Sequence, residues 1–305
     1  MSSRHRFATF SLLLFSVCFL FRPLCVACEG TAARQPTAKN SAELQQGTQP
    51  GQAGAPQSPT NDVGPLFPVV EHGKWGYIDK SGKIVIPLQY YFAYSFSEGL
   101  ALIQPFPVLG SRAIRVQFID KTGQMVMSKI YSYAQPFSEG LALVVPAGEE
   151  KWGLGYIDKS AKMVVAQEYK EAKSFNEGLA AVGVGGKWGY IDKTGQMVIP
   201  PQFSEAYRFS EGLATVKIDG KWGFIDKTGK LLIQPQYEIA YQHVEGLAAV
   251  KTGGQWGFIE KTGQMVIKPQ YDEAYPFSDG LAHVEVGKKA GYIDKTGKYV
   301  WTPTK

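Results

Sequence analysis

One pattern recurs along this chain and limits its fold more than any other feature of its 305 residues. The clearest copies read KWGYIDKTGQMVIPPQFSEAYRFSEGLATVKIDG (187–220), KWGFIDKTGKLLIQPQYEIAYQHVEGLAAVKTGG (221–254) and QWGFIEKTGQMVIKPQYDEAYPFSDGLAHVEVGK (255–288). Earlier copies begin at Lys74, near Arg115 and at Lys151, and a partial seventh begins at Lys289. An acidic turn residue marks the register at Asp79, Asp120, Asp158, Asp192, Asp226, Glu260 and Asp294, with spacings of 41, 38, 34, 34, 34 and 34. Length alone would suggest two domains of ordinary size. A fixed period instead means an array that grows by units, each burying its apolar face against a neighbour.

One unit can be read physically. LATVKI alternates and ends at Asp219-Gly220, and KWGFI follows. A pair of turn residues between two apolar runs is a hairpin signal, because glycine tolerates positive φ. Gly185-Gly186 and Gly253-Gly254 stand in the same place in other copies. KWGFI then runs through Asp226-Lys227-Thr228-Gly229 into KLLIQP. Asp at the first position of that turn can bind backbone N–H groups two residues on, and glycine suits the fourth. Each unit is therefore expected to hold a three-stranded antiparallel meander, closed by a proline such as Pro235, which cannot donate to the ladder. The connecting QYEIAYQHVEG carries aromatic and alanine columns and is expected to add a short fourth strand, the alternative being an ordered loop that packs its aromatics inward. Trp222 and Phe224 face one side of the sheet and Ile225 the other, so both faces need cover. Two architectures provide it: packed blades, as in a β-propeller, or an open twisted array. The fold class is all-β, with seven tandem 34-residue meander repeats over residues 65–305.

The motif Trp-Gly-[Tyr/Phe]-Ile-Asp-Lys-[Thr/Ser]-Gly, then Met-Val-Ile-x-Pro and Phe-Ser-Glu-Gly-Leu-Ala, resembles the WG-repeat family of bacterial proteins. Its signature tryptophans are Trp75, Trp152, Trp188, Trp222 and Trp256. Two copies depart from the motif, with Val116-Gln117 for Trp-Gly in the second and Ala290 for Trp in the seventh. The third carries two extra residues, Leu154 and Gly155, which suggest a bulge. The resemblance implies a repeat module of bacterial, often envelope-associated proteins. It implies no common activity and no catalytic residue.

The N-terminus reads as an export signal over residues 1–28. Arg4, His5 and Arg6 precede an apolar run of 15 residues (7–21). A bilayer span needs about 20, so the run suits a signal peptide better than a stable transmembrane helix. Ala27 is a small residue suited to cleavage. Residues 25–28 also resemble the lipobox of bacterial lipoproteins, with Cys28 as the lipidated residue, although Cys25 stands where leucine is usual. Ordinary cleavage, lipid anchoring and an uncleaved anchor all remain open, and the localisation is exported: periplasmic, membrane-anchored or secreted. Residues 29–64 are rich in Gln, Thr, Ala, Gly, Pro and Ser without an aromatic, and read as a disordered linker.

Composition narrows the chemistry. Cys18, Cys25 and Cys28 are the only cysteines, so the repeats can hold no disulfide, thiol nucleophile or cysteine metal site. Without Arg4, Arg6 and Arg22 there are 29 basic against 27 acidic side chains, too balanced to argue for a nucleic-acid partner. Residues at a fixed phase are most economically explained as structure. The tryptophans read as packing, the turn aspartates as caps, the turn lysines (Lys80, Lys121, Lys159, Lys193, Lys227, Lys261, Lys295) as a solvated face. The carboxylates Glu98, Glu139, Glu177, Glu211, Glu245 and Asp279 read as turn polarity or an acidic ring facing a partner. His72, His243 and His283 lie at three different phases, which argues against one metal site, and His243 replaces a column phenylalanine. The insertion Pro105–Ala113 and the segment Pro146–Glu150 are the irregular loops. The expectation is a non-enzymatic exported binding or scaffold protein without cofactor, contacting envelope or secreted proteins. The alternative is a glycan or cell-wall binder stacking sugars on exposed aromatics.

Overall fold

The computed structural model describes residues 64–106, 114–148 and 153–302. The signal segment with Cys28, the linker as far as Val63, and Trp152 lie outside them. Among the described residues there is no helix, and so none long and apolar enough to cross a membrane.

Seven small antiparallel sheets follow one another along the chain. Sheet five is representative: Glu205–Ser210, Leu213–Ile218, Lys221–Ile225 and Leu231–Tyr237 pair in chain order. Sheets three, four, six and seven have the same order of four strands. Sheet one has, among the described residues, no counterpart of the first strand and holds Phe67–Glu71, Lys74–Ile78 and Ile84–Tyr90. Sheet two holds Phe92–Ala93, Ala101–Gln104 and Gln117–Ile119.

The connecting segment does supply a strand, and that strand opens the next sheet rather than completing its own. Ile239 and Ala240 pair with Lys251 and Val250 of sheet six, although they continue the sequence copy that begins in sheet five. Each copy of the motif therefore straddles two sheets and ties them covalently.

The hairpin reading holds in register. Ile218 pairs with Lys221 around Asp219-Gly220, whose φ values are 49° and 79°. Two consecutive left-handed residues give the two-residue turn whose twist matches the strands. The Asp turns also form: the Asp226 carboxylate accepts from the Thr228 N–H (2.9 Å), the Thr228 hydroxyl (2.6 Å) and the Lys230 N–H (3.0 Å). Those donors are fixed by the turn, and together they hold the Asp226 carboxyl below the usual carboxylate range.

Two expectations fail locally. Pro235 does not close its strand, which runs on to Tyr237. Trp222 pairs with Tyr237 while Phe224 pairs with Ile233, so the outer strand carries two extra residues in a bulge opposite Gly223. The proline sits in that bulge, where no ladder donor is needed. The bulge crosses the glycine closely: a Cβ on Gly223 would lie 2.6 Å from the Ile233 carbonyl oxygen. This is why Trp is followed by Gly. Where Gln117 takes the glycine's place, the outer strand is reduced to isolated bridges, Val116 with Tyr131 and Ile119 with Met125. Nor do Leu154 and Gly155 form a bulge. Leu154 pairs with Tyr169 as Trp222 does with Tyr237, and Gly155 pairs with Val144 as Gly223 does with Val216. Register follows the glycine, so Leu154, not Trp152, occupies the tryptophan position of sheet three.

Six buried clusters lie between the seven sheets. In each, an aromatic face meets a small-residue face. Tyr190, Ile199 and Phe203 of sheet four pack on Ala206, Ala214, Val216 and Ile225 of sheet five. Phe224, Ile233 and Tyr237 of sheet five pack on Ala240, Ala248, Val250 and Ile259 of sheet six. The array is open: among the described residues no strand pairing and no buried cluster joins sheet seven to sheet one.

Candidate functional site

The fixed-phase residues fall into three groups, two of which hold sheets together. The first is a polar ladder. Ser-Glu-Gly-Leu forms a tight hairpin in which glutamate itself is left-handed, with φ of 55° at Glu211. For a non-glycine residue this conformation costs about 1–2 kcal/mol. Its carboxylate reaches the following sheet, accepting from the Gly246 N–H (3.0 Å) and pairing with Lys261 (3.1 Å). Glu98, Glu139, Glu177 and Glu245 do the same with Gly140 and Lys159, Gly178 and Lys193, Gly212 and Lys227, and Gly280 and Lys295. At Glu211 partial burial opposes ionisation, and the Lys261 and Gly246 donors outweigh it, leaving the carboxyl below its usual range. Five glutamates of the expected partner-facing ring and five lysines of the expected solvated face are thus one set of inter-sheet bridges. The spacing from Glu to Gly, 35 residues at three of the five bridges, was in the sequence, but nothing there aimed the side chain along the array.

The second group is aromatic. In sheets one to six the third-strand Tyr or Phe meets a ring of the next sheet at about 5 Å, as in Tyr190–Phe209 (5.0 Å) and Phe258–Phe277 (5.0 Å). Where it is tyrosine, its hydroxyl also donates across the interface, as Tyr190 does to the Tyr207 carbonyl (2.7 Å). His243 takes the phenylalanine position against Phe224 at 4.9 Å. It is fully buried, and neither ring nitrogen makes a hydrogen bond of normal geometry. Burial pushes the imidazole below its ordinary pKa, against a smaller opposing pull from the Glu260 backbone and Glu211.

The signature tryptophans serve packing to different degrees. Trp222 and Trp256 are 5% and 1% exposed, while Trp75 and Trp188 are half-buried. Trp256 stacks on Tyr241 at 5.2 Å with rings 11° apart, and Lys251 lies over its face. Lys173 lies between Trp188 (5.3 Å) and Tyr207 (4.9 Å), where burial lowers its pKa.

The third group faces solvent. The outer strand of each sheet alternates, so its apolar residue between the two inward ones points out. Val126, Val164, Val198, Leu232 and Val266 form this column, each between 38 and 47% exposed. The expectation that both faces of every sheet need cover does not extend to this column, whose Leu232 is 47% exposed. Hollows of about 290 Å³, lined by Ile218, Leu231 and Pro235 among others, and about 370 Å³, lined by Tyr133 and Leu154 among others, lie along the sheets. Among the described residues no group of three or more His, Cys, Asp or Glu side chains is placed to hold a metal. His72 and His283 lie in sheets one and seven, far along the chain from His243. Of the irregular loops, residues 107–113 and 149–150 lie outside the described residues; Phe106 packs edge-on to Tyr91 at 5.9 Å.

The WG containing repeat family matches at residues 75–104, 118–145, 155–188, 188–222, 222–256 and 256–289, and the chain belongs to that family. Each matched segment joins the third and fourth strands of one sheet to the first two of the next, which is why six segments span seven sheets. No curated protein matches the chain. Among solved structures, a eukaryotic initiation factor is similar with a TM-score of 0.52 at 12% identity, over 79% of this chain and 73% of that one. This likeness is one of fold. Kluyveromyces lactis Hsv2, with a loop replaced by a Gly-Ser linker, aligns with a TM-score of 0.45 at 10% identity, over 68% of this chain and 78% of that one. PorZ, a bacterial surface component of the type-IX secretion system of Porphyromonas gingivalis, aligns with a TM-score of 0.39 at 11% identity, over 79% of this chain and 37% of that one.

The buried imidazole gives a first prediction. His243→Phe restores the aromatic column and removes two unpartnered polar atoms, and is expected to stabilise by about 1–2 kcal/mol. The unfolded imidazole binds a proton below about pH 6.5, whereas the folded one resists it. Native stability is therefore full above that pH and falls as pH drops through it. Urea midpoints at pH 5 and 7.5 check this: the gap between them should narrow in His243→Phe.

Proposed function

We propose that this protein is an exported, non-enzymatic scaffold that binds envelope or secreted proteins through its repeated outer strands. The observation that carries the reading is the solvent column Val126, Val164, Val198, Leu232 and Val266. Trp222 and Trp256 are buried, the turn aspartates are bound within their own turns and the ladder glutamates bridge neighbouring sheets, whereas these apolar side chains recur at one phase, exposed among the described residues. Equivalent weak patches on one surface add through effective concentration, so a partner touching several gains affinity without a deep pocket. The signal segment and linker support export, with Cys28 as the membrane tether if it is lipidated. No cofactor and no nucleic acid enter this reading.

The test is affinity capture from envelope extract, comparing the wild-type chain with Val198→Glu/Leu232→Glu/Val266→Glu. A stoichiometric protein that survives glycan digestion and disappears with the triple variant is the expected result. Unchanged capture by the variant would remove the outer strands from the proposal. A glycan reading has one observation of its own, the column Tyr94, Tyr207 and Tyr275, each exposed by 40% or more. Capture of cell-wall polymer alone, lost on Tyr207→Ala/Tyr275→Ala, would establish it instead.

A further inference from the structure

The two ends of the array carry the two halves of its internal interface. Sheet seven (Glu273–Ala274, Ala282–Val286, Lys289–Ile293, Tyr299–Trp301) turns its small-residue face inward, with Ala282, Val284 and Ile293 buried against sheet six. Among the described residues nothing lies over its aromatic face. Tyr292, the equivalent of Phe258, is 43% exposed, and Trp301, the equivalent of Ile267, is 51% exposed. At the other end, sheet one buries its aromatic face in Tyr77, Ile86 and Tyr90. Among the described residues nothing covers its small-residue face.

Two details at that open face distinguish it from an ordinary end. The residue paired with the third-strand Ile is alanine in six sheets: Ala101, Ala142, Ala180, Ala214, Ala248 and Ala282. In sheet one it is Phe67, paired with Ile78 and 45% exposed. Among the described residues sheet one has no first strand, and so no ring where Phe209 or Phe277 faces the preceding sheet; Phe67 is the aromatic on that face. The polar ladder is unfinished in a matching way. Asp279 holds the glutamate position of sheet seven and Lys80 the lysine position of sheet one, and among the described residues neither has a neighbouring sheet to bridge to. No hydrogen bond or ion pair is formed by either side chain among the described residues.

We infer that a second copy of this chain docks head to tail, its sheet one on the aromatic face of sheet seven. The new junction continues the six internal ones, with Tyr292 and Trp301 against Phe67, Val69 and Ile78, and Lys80 of one copy beside Asp279 of the other. Such a heterologous contact leaves one free face of each kind at the ends of every dimer. It therefore builds filaments, or rings if the rotation closes. This inference is independent of the solvent column and of any partner it binds.

Sedimentation velocity of the full chain, as recovered from the cells that make it, tests the inference over a wide concentration range. The average mass should at least double as concentration rises. Trp301→Glu and Phe67→Glu should each hold the chain at single mass when alone. Mixed, they should give dimers that do not grow further, because each supplies the face the other lacks. Asp279→Lys should weaken association several-fold, and Asp279→Lys/Lys80→Asp should restore it. Single mass at every concentration would overturn the inference and make the aromatic end a solvated cap. Growth untouched by Trp301→Glu and Phe67→Glu would overturn it too, placing self-association elsewhere.

Discussion

Gly223→Ala is expected to destabilise the protein by about 3 kcal/mol, the upper range for forcing an extra carbon into a packed site. The new Cβ would sit 2.6 Å from the Ile233 carbonyl oxygen, 2.8 Å from the Pro235 nitrogen and 3.0 Å from the Pro235 Cα. All three are backbone atoms of one bulge, so no rotamer change relieves the contact. The outer strand must move off the sheet, and Tyr237 and Ile233 would leave the cluster they share with Ala248 and Ile259. If the methyl fitted, losing a glycine's flexibility would favour folding by about 0.5–1 kcal/mol, so the clash decides the sign. Gly220→Ala is the control. It sits at φ 79° with nothing within 4 Å of the new carbon, so it should cost about 1–2 kcal/mol through strain alone and leave the outer strand paired. Urea denaturation gives the two energies. Hydrogen exchange over residues 231–237 separates the mechanisms, since only Gly223→Ala should strip protection there. Equal protection in both variants would sink the account of why Trp is followed by Gly.

The same glycine explains how much was legible in the sequence. Period, hairpin turns and Asp turns were readable because each is set within a few neighbouring residues: Asp219-Gly220 for one, Asp226 with Thr228 for the other. The fourth strand was expected but not its destination, because pairing of Ile239 with Lys251 is a choice between sheets that local pattern does not encode. The bulge was hidden for a related reason. Pro235 announces a missing donor, and a strand end and a bulge both satisfy that; only the close crossing over Gly223 distinguishes them. Leu154 shows the converse, since counting from Trp152 gave two surplus residues whereas the ladder counts from Gly155. The Glu ladder was seen as a column of charge and not as a set of bridges. The left-handed Glu211 that aims its carboxylate at the next sheet is visible only once the backbone is known. The exposed apolar column was misassigned because alternation gives the two sides of a strand without saying which meets a neighbour, and the outermost strand meets none on one side.

Phe258→Ala is expected to cost about 3–5 kcal/mol, the range for emptying a fully buried aromatic site. Phe258 lies between Ile267 and Tyr271 of its own sheet and Ala274, Phe277 and Val284 of sheet seven, with no exposed surface. The location of the loss matters more than its size. In an array whose units touch only their neighbours, stability is a sum of unit and interface terms, so damage at one junction need not spread. The ladder carries little of this junction's energy, because the exposed pair Glu245–Lys295 is screened by water. With its aromatic contact gone, sheet seven should therefore open first. Hydrogen exchange should rise over residues 282–301 and stay unchanged over sheets three to five, and the urea transition should separate into two steps. Tyr190→Phe at an inner junction gives the scale of a milder change: it removes only the hydroxyl bond to the Tyr207 carbonyl, worth about 1 kcal/mol. An even rise in exchange across all seven sheets after Phe258→Ala would contradict the open array, because only a closed or otherwise globally coupled structure spreads the loss of one junction to every other.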